Sequence, residues 1–403
     1  MTRRHRPLWP LALLLLGAGG NALAQVPEDG LTWRAGYALQ RDDNLFRLPD
    51  GVDPRAVLGT DSAAETVTVR SLGLAYAKNW SLQRVEIDLG LVDYRYRTYR
   101  SLDLTAKNYD LAWRWAVTPR LRGSLTASRD ESVNAFDNAS RPDQGNRRLT
   151  RREAFDAAYE LDGVWRLVAG AGRTRNINQQ PQRGEDSEMS RTADIGLRHE
   201  AGSGSNATLR LRHGTGRTLG EGRAPASLRD DAFSQDEALL ELNWVLTGKL
   251  STQLSLARVR RQHDTVSLRD YSGTNASVAL NWRPTAKTQL SLRGASQLSS
   301  YQTNTASVAR TDTFGLDAVW QIAARTSLKA SLAESRRRYL QPLPGQALDN
   351  ERERTRTASI GARWAITPHV SLDGSLQSTR RSGAQPGLNF ASTQAYVGVD
   401  ASF

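Results

Sequence analysis

The chain has 403 residues, a formal charge of +12, 39% hydrophobic residues and no cysteine, with a mean hydropathy of −0.54. The cysteine count excludes a disulfide framework, and no apolar run approaches the roughly 18 residues of a membrane-spanning helix. The hydropathy is low for a soluble globular core but ordinary for a barrel in which only every second strand residue must be apolar.

The first 24 residues read as a secretory signal peptide. Arg3, Arg4 and Arg6 give a positive start, "LWPLALLLLGAGG" is a short apolar run, and "NALA" ends on small residues before Gln25. The expected organisation is a signal peptide over 1–24 and a single barrel domain over 25–403. An exported basic chain rarely meets nucleic acid, so lipopolysaccharide, acidic sugars and phosphates are the expected anions.

Next comes a first strand, "LTWRAGYALQ", followed by "RDDNLFRLPDGVDP" (Arg41 to Pro54). Asp42, Asp43 and Asn44 carry oxygens that, with Asp50, could approach a Ca²⁺ site. A loop ordered by Asx turns is the simpler reading, and no metal is assigned. Leu45 and Phe46 are the apolar anchor of a segment folding at the mouth or inward.

From here on the chain alternates. Ala276, Val278, Leu280 and Trp282 are apolar between Asn275, Ser277, Asn281 and Arg283; Ala358, Ile360, Ala362 and Trp364 behave likewise. Period two over ten residues is a strand signal. Short turns fall near Lys78–Trp80, Thr118–Arg120, Asp162–Gly163, Gly202–Ser205, Thr247–Lys249, Pro284–Lys287, Ala324–Arg325 and Thr367–His369. Long polar connections alternate with them, and the spacing of about 40 residues is an architectural repeat. A β-propeller shares that period but needs four short strands in it.

The count predicts an all-β fold: a transmembrane antiparallel up-and-down β-barrel of about 18 strands of about ten to fourteen residues, with short periplasmic turns and long extracellular loops. Val67 and Val69 lie on one parity and Leu72, Leu74 and Tyr76 on the other. That break suggests a bulge near Arg70 and leaves 16 strands open.

Trp115, Trp244, Trp282, Trp320 and Trp364 precede short turns on the apolar parity, as an interfacial girdle at the periplasmic side requires. The opposite parity should line the lumen. Its basic members include Arg34, Arg84, Arg114, Arg122, Arg166, Arg198, Arg210, Arg212, Arg283, Arg293, Lys329 and Arg363. Its acidic members include Glu86, Asp88, Asp156, Glu160, Asp194, Glu200, Glu241, Asp317, Asp373 and Asp400. Cross-strand ion pairs compete here with an anion path. Toward the outer strand ends the charge turns positive at Arg258, Arg260 and Arg261, at Arg336 to Arg338, and at Arg352, Arg354 and Arg356. These read as a rim that faces lipopolysaccharide or solvent.

The chain ends on an alternating strand closing with Phe403, which resembles the signal read by the barrel-insertion machinery. No H-E-x-x-H, G-x-S-x-G or P-loop is present, so neither enzyme activity nor a cofactor is expected. His263–Asp264 at an outer strand end resembles half of the acid–histidine pairing of surface protease barrels, without a second acidic pair.

The segment Arg41–Pro54 after its first strand resembles the EpsL-type outer-membrane β-barrels of exopolysaccharide biosynthesis and export operons, related to the group called β-barrel porin-2. The resemblance implies a passive outer-membrane conduit for an exopolysaccharide chain, working with periplasmic export components. Two alternatives stand beside it: a surface barrel that binds polysaccharide, and a general diffusion porin.

Overall fold

The structure is a computed structural model. It describes residues 29–134, 136, 147–179, 187–219, 232–300, 306–342, 352–383, 387 and 389–403. The signal peptide expected over 1–24 lies outside them. Eighteen strands follow one another: β1 (Gly30–Asp42), β2 (Glu65–Trp80), β3 (Gln83–Tyr96), β4 (Leu104–Ala116), β5 (Leu121–Val133), β6 (Arg147–Glu160), β7 (Trp165–Asn178), β8 (Glu188–Glu200) and β9 (Asn206–Thr218) make the first half. The second half is β10 (Ala232–Thr247), β11 (Leu250–His263), β12 (Tyr271–Trp282), β13 (Thr288–Ser300), β14 (Ala306–Ala323), β15 (Thr326–Pro342), β16 (Arg352–Ala365), β17 (Val370–Gly383) and β18 (Phe390–Ser402).

Each strand pairs antiparallel with its chain neighbours, and β1 closes the sheet on β18 from Arg34↔Ser402 to Asp42↔Gln394. Trp33 and Phe403 exchange backbone bonds of 2.8 and 2.9 Å at the lower end of that seam. Closure leaves no free edge strand along the apolar band. The barrel is therefore an 18-stranded up-and-down barrel.

Three local expectations change. The alternation runs unbroken through β2, whose pairing with β1 is regular from Gly30↔Ala77 to Asp42↔Glu65, so there is no bulge near Arg70. Val67 and Val69 point inward because the segment after β1 covers them with apolar side chains. The first short turn is Ser81–Leu82, not Lys78–Trp80; Ser81 takes the left-handed conformation at φ 53. Finally, the strands are longer than expected, up to 18 residues in β14. They continue above the apolar band into a polar collar.

The outer face of the lower wall is apolar and exposed: Leu72 and Leu91 pair across β2–β3, Leu197 and Leu209 across β8–β9, Ile360 and Leu376 across β16–β17. A soluble protein would bury such residues; here they form a continuous band. Every tryptophan beyond residue 24 stands at the short-turn end on this face. Besides the five expected, these are Trp33, Trp80, Trp113 and Trp165. The Trp113 indole donates to Gln83 Oε1 at 3.0 Å, and Trp115 stacks on Phe155 across Gly123. A Cβ on Gly123 would lie 2.4 Å from the Trp115 ring. The short turns are tied locally: Asp162 accepts from the backbone N–H of Val164 and Trp165 at 2.9 and 2.7 Å. Those donors hold its carboxyl below the ordinary range.

Candidate functional site

The candidate site is the lumen and its outer mouth. Strand alternation puts the residues between the apolar ones on the inner face. Nine of the ten proposed lining cations, Arg34, Arg84, Arg114, Arg198, Arg210, Arg212, Arg293, Lys329 and Arg363, share that face with Asp88, Asp110, Asp194, Glu241, Asp317 and Asp373; Arg283 lies just past the end of β12, exposed at the short-turn end.

Most of the cations are paired there. Arg34 contacts Asp88 across β2. Arg84 and Arg114 share Glu86 at 2.8 and 3.2 Å. The densest lattice runs over β6–β10. Arg166 joins Glu160 and Glu200; Arg210 joins Asp194 at 2.5 Å and Glu241 at 3.6 Å; Arg212 reaches Glu237 at 3.4 Å. On the opposite wall the pairs are sparser, with Arg293 on Asp317 and Arg363 3.8 Å from Asp373. Arg283 and Lys329 have no carboxylate partner among the described residues. Partial exposure of Arg114 (43%) and Arg293 (48%) shows a wet inner face rather than a sealed ionic core. The spacing of two residues between like-facing side chains brings donors and acceptors from adjacent strands opposite each other, so these pairs follow from register.

The outer mouth is built differently. After β1 the chain turns inward. Asp42 and Arg47 form a buried pair at 2.8 Å, each side chain at most 3% exposed. Asp42 also accepts from Ser392 Oγ and Gln394 Nε2 of β18 at 2.9 and 2.7 Å. The Asp43 carboxylate accepts from Thr393 N, while Asn44 donates to the carbonyls of Leu48 and Ala391 and accepts from Leu48 N. These four polar side chains stitch the segment to β18, so the oxygens of Asp42, Asp43 and Asn44 are already engaged. Asn44 N donates to Asp42 Oδ1 at 2.9 Å, an Asx turn. Among the described residues no group of three or more His, Asp or Glu side chains is arranged to hold a metal.

Leu45, Phe46 and Leu48 then enter an apolar cluster with Val67, Tyr96, Tyr99, Leu102 and Phe136. Phe46 is fully buried, edge-on to Tyr99 at 4.8 Å and to Phe136 at 5.2 Å. A short helix, α1 (Pro54–Leu58), follows, capped by the Asp53 carboxylate. The sequence singled out Asp42 to Phe46 but assigned no role to Arg47, which compensates the buried carboxylate, and gave no signal for Ser392 and Gln394 some 350 residues away.

A second apolar cluster narrows the mouth from the other side. Leu239, Ala257, Val259 and Tyr271 project inward from β10, β11 and β12, and Val308, Leu298 and Leu340 pack on them. Pairing of β12 with β13 stops at Ala276↔Ser296, so the top of the β13–β14 hairpin leaves β12 and leans behind it. Gly273 permits this: a Cβ there would lie 2.1 Å from Leu298 Cδ1. Arg261 does not belong to the outer rim, as the sequence suggested. It faces inward, buried, with its guanidinium 3.6 Å over the Phe233 ring and donating to Gln235 at 2.8 Å. His263 is buried beside Phe233 and Asp270, while Asp264 is exposed. The two are not presented together.

The rim cations Arg258, Arg260, Arg336, Arg338 and Arg354 all share the outward parity.

Residues 241–403, less than half of the chain, match the family model described as "Putative beta-barrel porin 2". That stretch does not include Arg41–Pro54, on which the EpsL-type resemblance rests. No curated protein matches the chain. Among solved structures the chain is similar to the Pseudomonas aeruginosa protein OccK2 (OpdF), at 11% identity and a TM-score of 0.52, covering 93% of this chain and 98% of that one. The same protein in complex with glucuronate gives 11% identity and a TM-score of 0.51, with the same coverage. A BenF-like porin from Pseudomonas fluorescens Pf-5 gives 8% identity and a TM-score of 0.51, covering 94% and 100%. At these identities the likeness is one of fold.

Proposed function

We propose that the protein is an outer-membrane channel for passive diffusion of small hydrophilic solutes, rather than a dedicated conduit for exopolysaccharide. The observation that carries this reading is the inner face of the closed barrel. It is charged, ion-paired and partly exposed from the lower rim upward, and 18 strands leave room for water between facing walls. The exposed apolar band with tryptophan at one end supports placement in a bilayer, short turns toward the periplasm. Both signs of charge line the path, so charge preference is weak. The two mouth clusters, one under Phe46 and one under Tyr271, act as a size filter.

A barrel of similar fold has been solved with glucuronate, so a small sugar acid is the first solute to try. Purified protein in planar bilayers is expected to give steady ohmic conductance, and proteoliposomes to swell in glucuronate and neutral monosaccharides but not in long oligosaccharides. A barrel that neither conducts nor swells would end this reading.

A second reading keeps the polymer. It rests on the EpsL-like segment Arg41–Pro54, which lies at the mouth. Its mark is block of the conductance by an exopolysaccharide but not by an unrelated dextran. The bonding of Asp42, Asp43 and Asn44 to the β18 end, with Leu45 and Phe46 packed in the cluster around Val67 and Tyr96, accounts for that segment without a polymer.

A further inference from the structure

Among the described residues, the outward face of the collar over β14–β17 carries an excess of positive charge that the neighbouring carboxylates do not neutralise. Cross-strand register places Arg336 opposite Arg354, Arg338 opposite Arg352, and Arg356 opposite Arg380. Like charges directly opposite on neighbouring strands oppose sheet formation, yet here three such pairs adjoin. Among the described residues of this patch two carboxylates face the same way. Asp312 is used by Arg338 at 2.9 Å. Glu334 is shared by Arg336 at 2.6 Å, Arg356 at 3.1 Å and Arg354. One carboxylate thus gathers three guanidiniums into a fan and cannot balance them. Arg336 and Arg356 keep more than half of their side chains exposed, and the Arg354 Nε–H has no acceptor.

The height of the patch identifies what meets it. Directly below lie the exposed Phe314, Leu332, Ile360 and Leu376 of the apolar band. Arg356 stands eight residues above Trp364 on β16. At about 3.3 Å per residue and a tilt of about 40°, that is about 20 Å, most of the ~25 Å apolar band of an outer-membrane barrel. The fan therefore lies where acyl chains give way to headgroups on the long-loop side. Guanidinium forks match phosphate oxygens in two-point contacts, and exposed ones pointing sideways from the wall can be reached by a lipid but not by a solute in the lumen.

We propose that this face is a binding site for the phosphorylated sugar headgroup of an outer-leaflet glycolipid, with Arg336, Arg354 and Arg356 as its phosphate ligands. The site rests on the outer-membrane placement above but not on the channel activity. Its lipid is a structural partner that cancels the repulsion among the arginines and seats the collar at a fixed depth.

The test uses the full barrel in detergent, with bis-phosphorylated lipid A and its dephosphorylated form as probes, read by native mass spectrometry. The phosphorylated lipid is expected to bind at least ~10-fold more tightly. The triple variant Arg336→Gln, Arg354→Gln, Arg356→Gln keeps donors for Glu334, and it should lose about a hundredfold in affinity, at about 1 kcal/mol for each arginine. Equal binding of the two lipids by the unaltered protein overturns the proposal whether or not the variant folds. So does unchanged binding by a folded variant. Displacement of the lipid by millimolar inorganic phosphate would mark a site for free anions and also overturn it. Conductance in glycolipid-free bilayers, measured separately, reports on the channel reading alone.

Discussion

The two faces of the barrel wall use the same residue type to opposite ends. Inside, arginines sit opposite or beside carboxylates: Arg210 with Asp194 and Glu241, Arg212 with Glu237, Arg47 with Asp42. Outside, over β14–β17, arginines sit opposite arginines. The inner charges are compensated by the chain, because taking an ion out of bulk water without a partner is costly. On the proposed outer-membrane placement the outer charges stand at the level of headgroups, where compensation can come from the membrane. Burial thus separates arginines that hold the barrel together from arginines free to meet something else.

The sharpest way to break this contrast is at Arg47. Arg47→Ala leaves the Asp42 carboxylate buried and unpaired at the β1–β18 seam. The expected loss is about 3–5 kcal/mol, read as a lower urea midpoint for the barrel. Replacing both partners by leucine should recover most of it. If the single variant unfolds at the unaltered midpoint, the buried pair is not what secures the seam.

Phe46→Ala comes next. It empties the centre of the cluster under the mouth, at a cost of about 3 kcal/mol, and it should raise single-channel conductance. Lower stability with unchanged conductance would show that the cluster does not narrow the path.

A smaller effect, on selectivity, is expected from Lys329→Glu, a lining cation without a carboxylate partner among the described residues. Reversal potentials in a salt gradient should move toward cation preference. The shift should fade near 1 M salt, where the screening length falls to about 3 Å. A shift that persisted at high salt would point to a direct ligand contact instead.

The smallest effect is expected from Arg293→Gln. Its pair with Asp317 is half-exposed, so the cost should stay below about 1 kcal/mol. A loss as large as that at Arg47 would erase the distinction between wet and buried pairs.

Much of the architecture is legible in the amino-acid order. Alternation is a one-dimensional property, so the apolar parity, the lining set from Arg34 to Arg363 and the turns near 118–120 or 367–369 can be read from neighbours in the chain. Val67 and Val69 misled because alternation was assumed to have one cause. Lipid on one face and Phe46 on the other both demand apolar residues, and only the second is invisible locally. Arg261 misled for a related reason. It adjoins Arg258 and Arg260 in the chain, but one residue of displacement turns it into the barrel and under Phe233.

What the sequence determined by itself is a closed count of about 18 strands, the facing of side chains along the apolar band and the end at which tryptophan gathers, since period two and turn spacing are carried by adjacent residues. Tertiary structure alone decided what fills the mouth. The partners there are joined across some 350 residues, as Asp42 is to Ser392, or across a gap between strands, as Leu298 is to Tyr271. No local pattern encodes such contacts, because they exist only once the sheet has closed and two distant segments compete for the same space inside it.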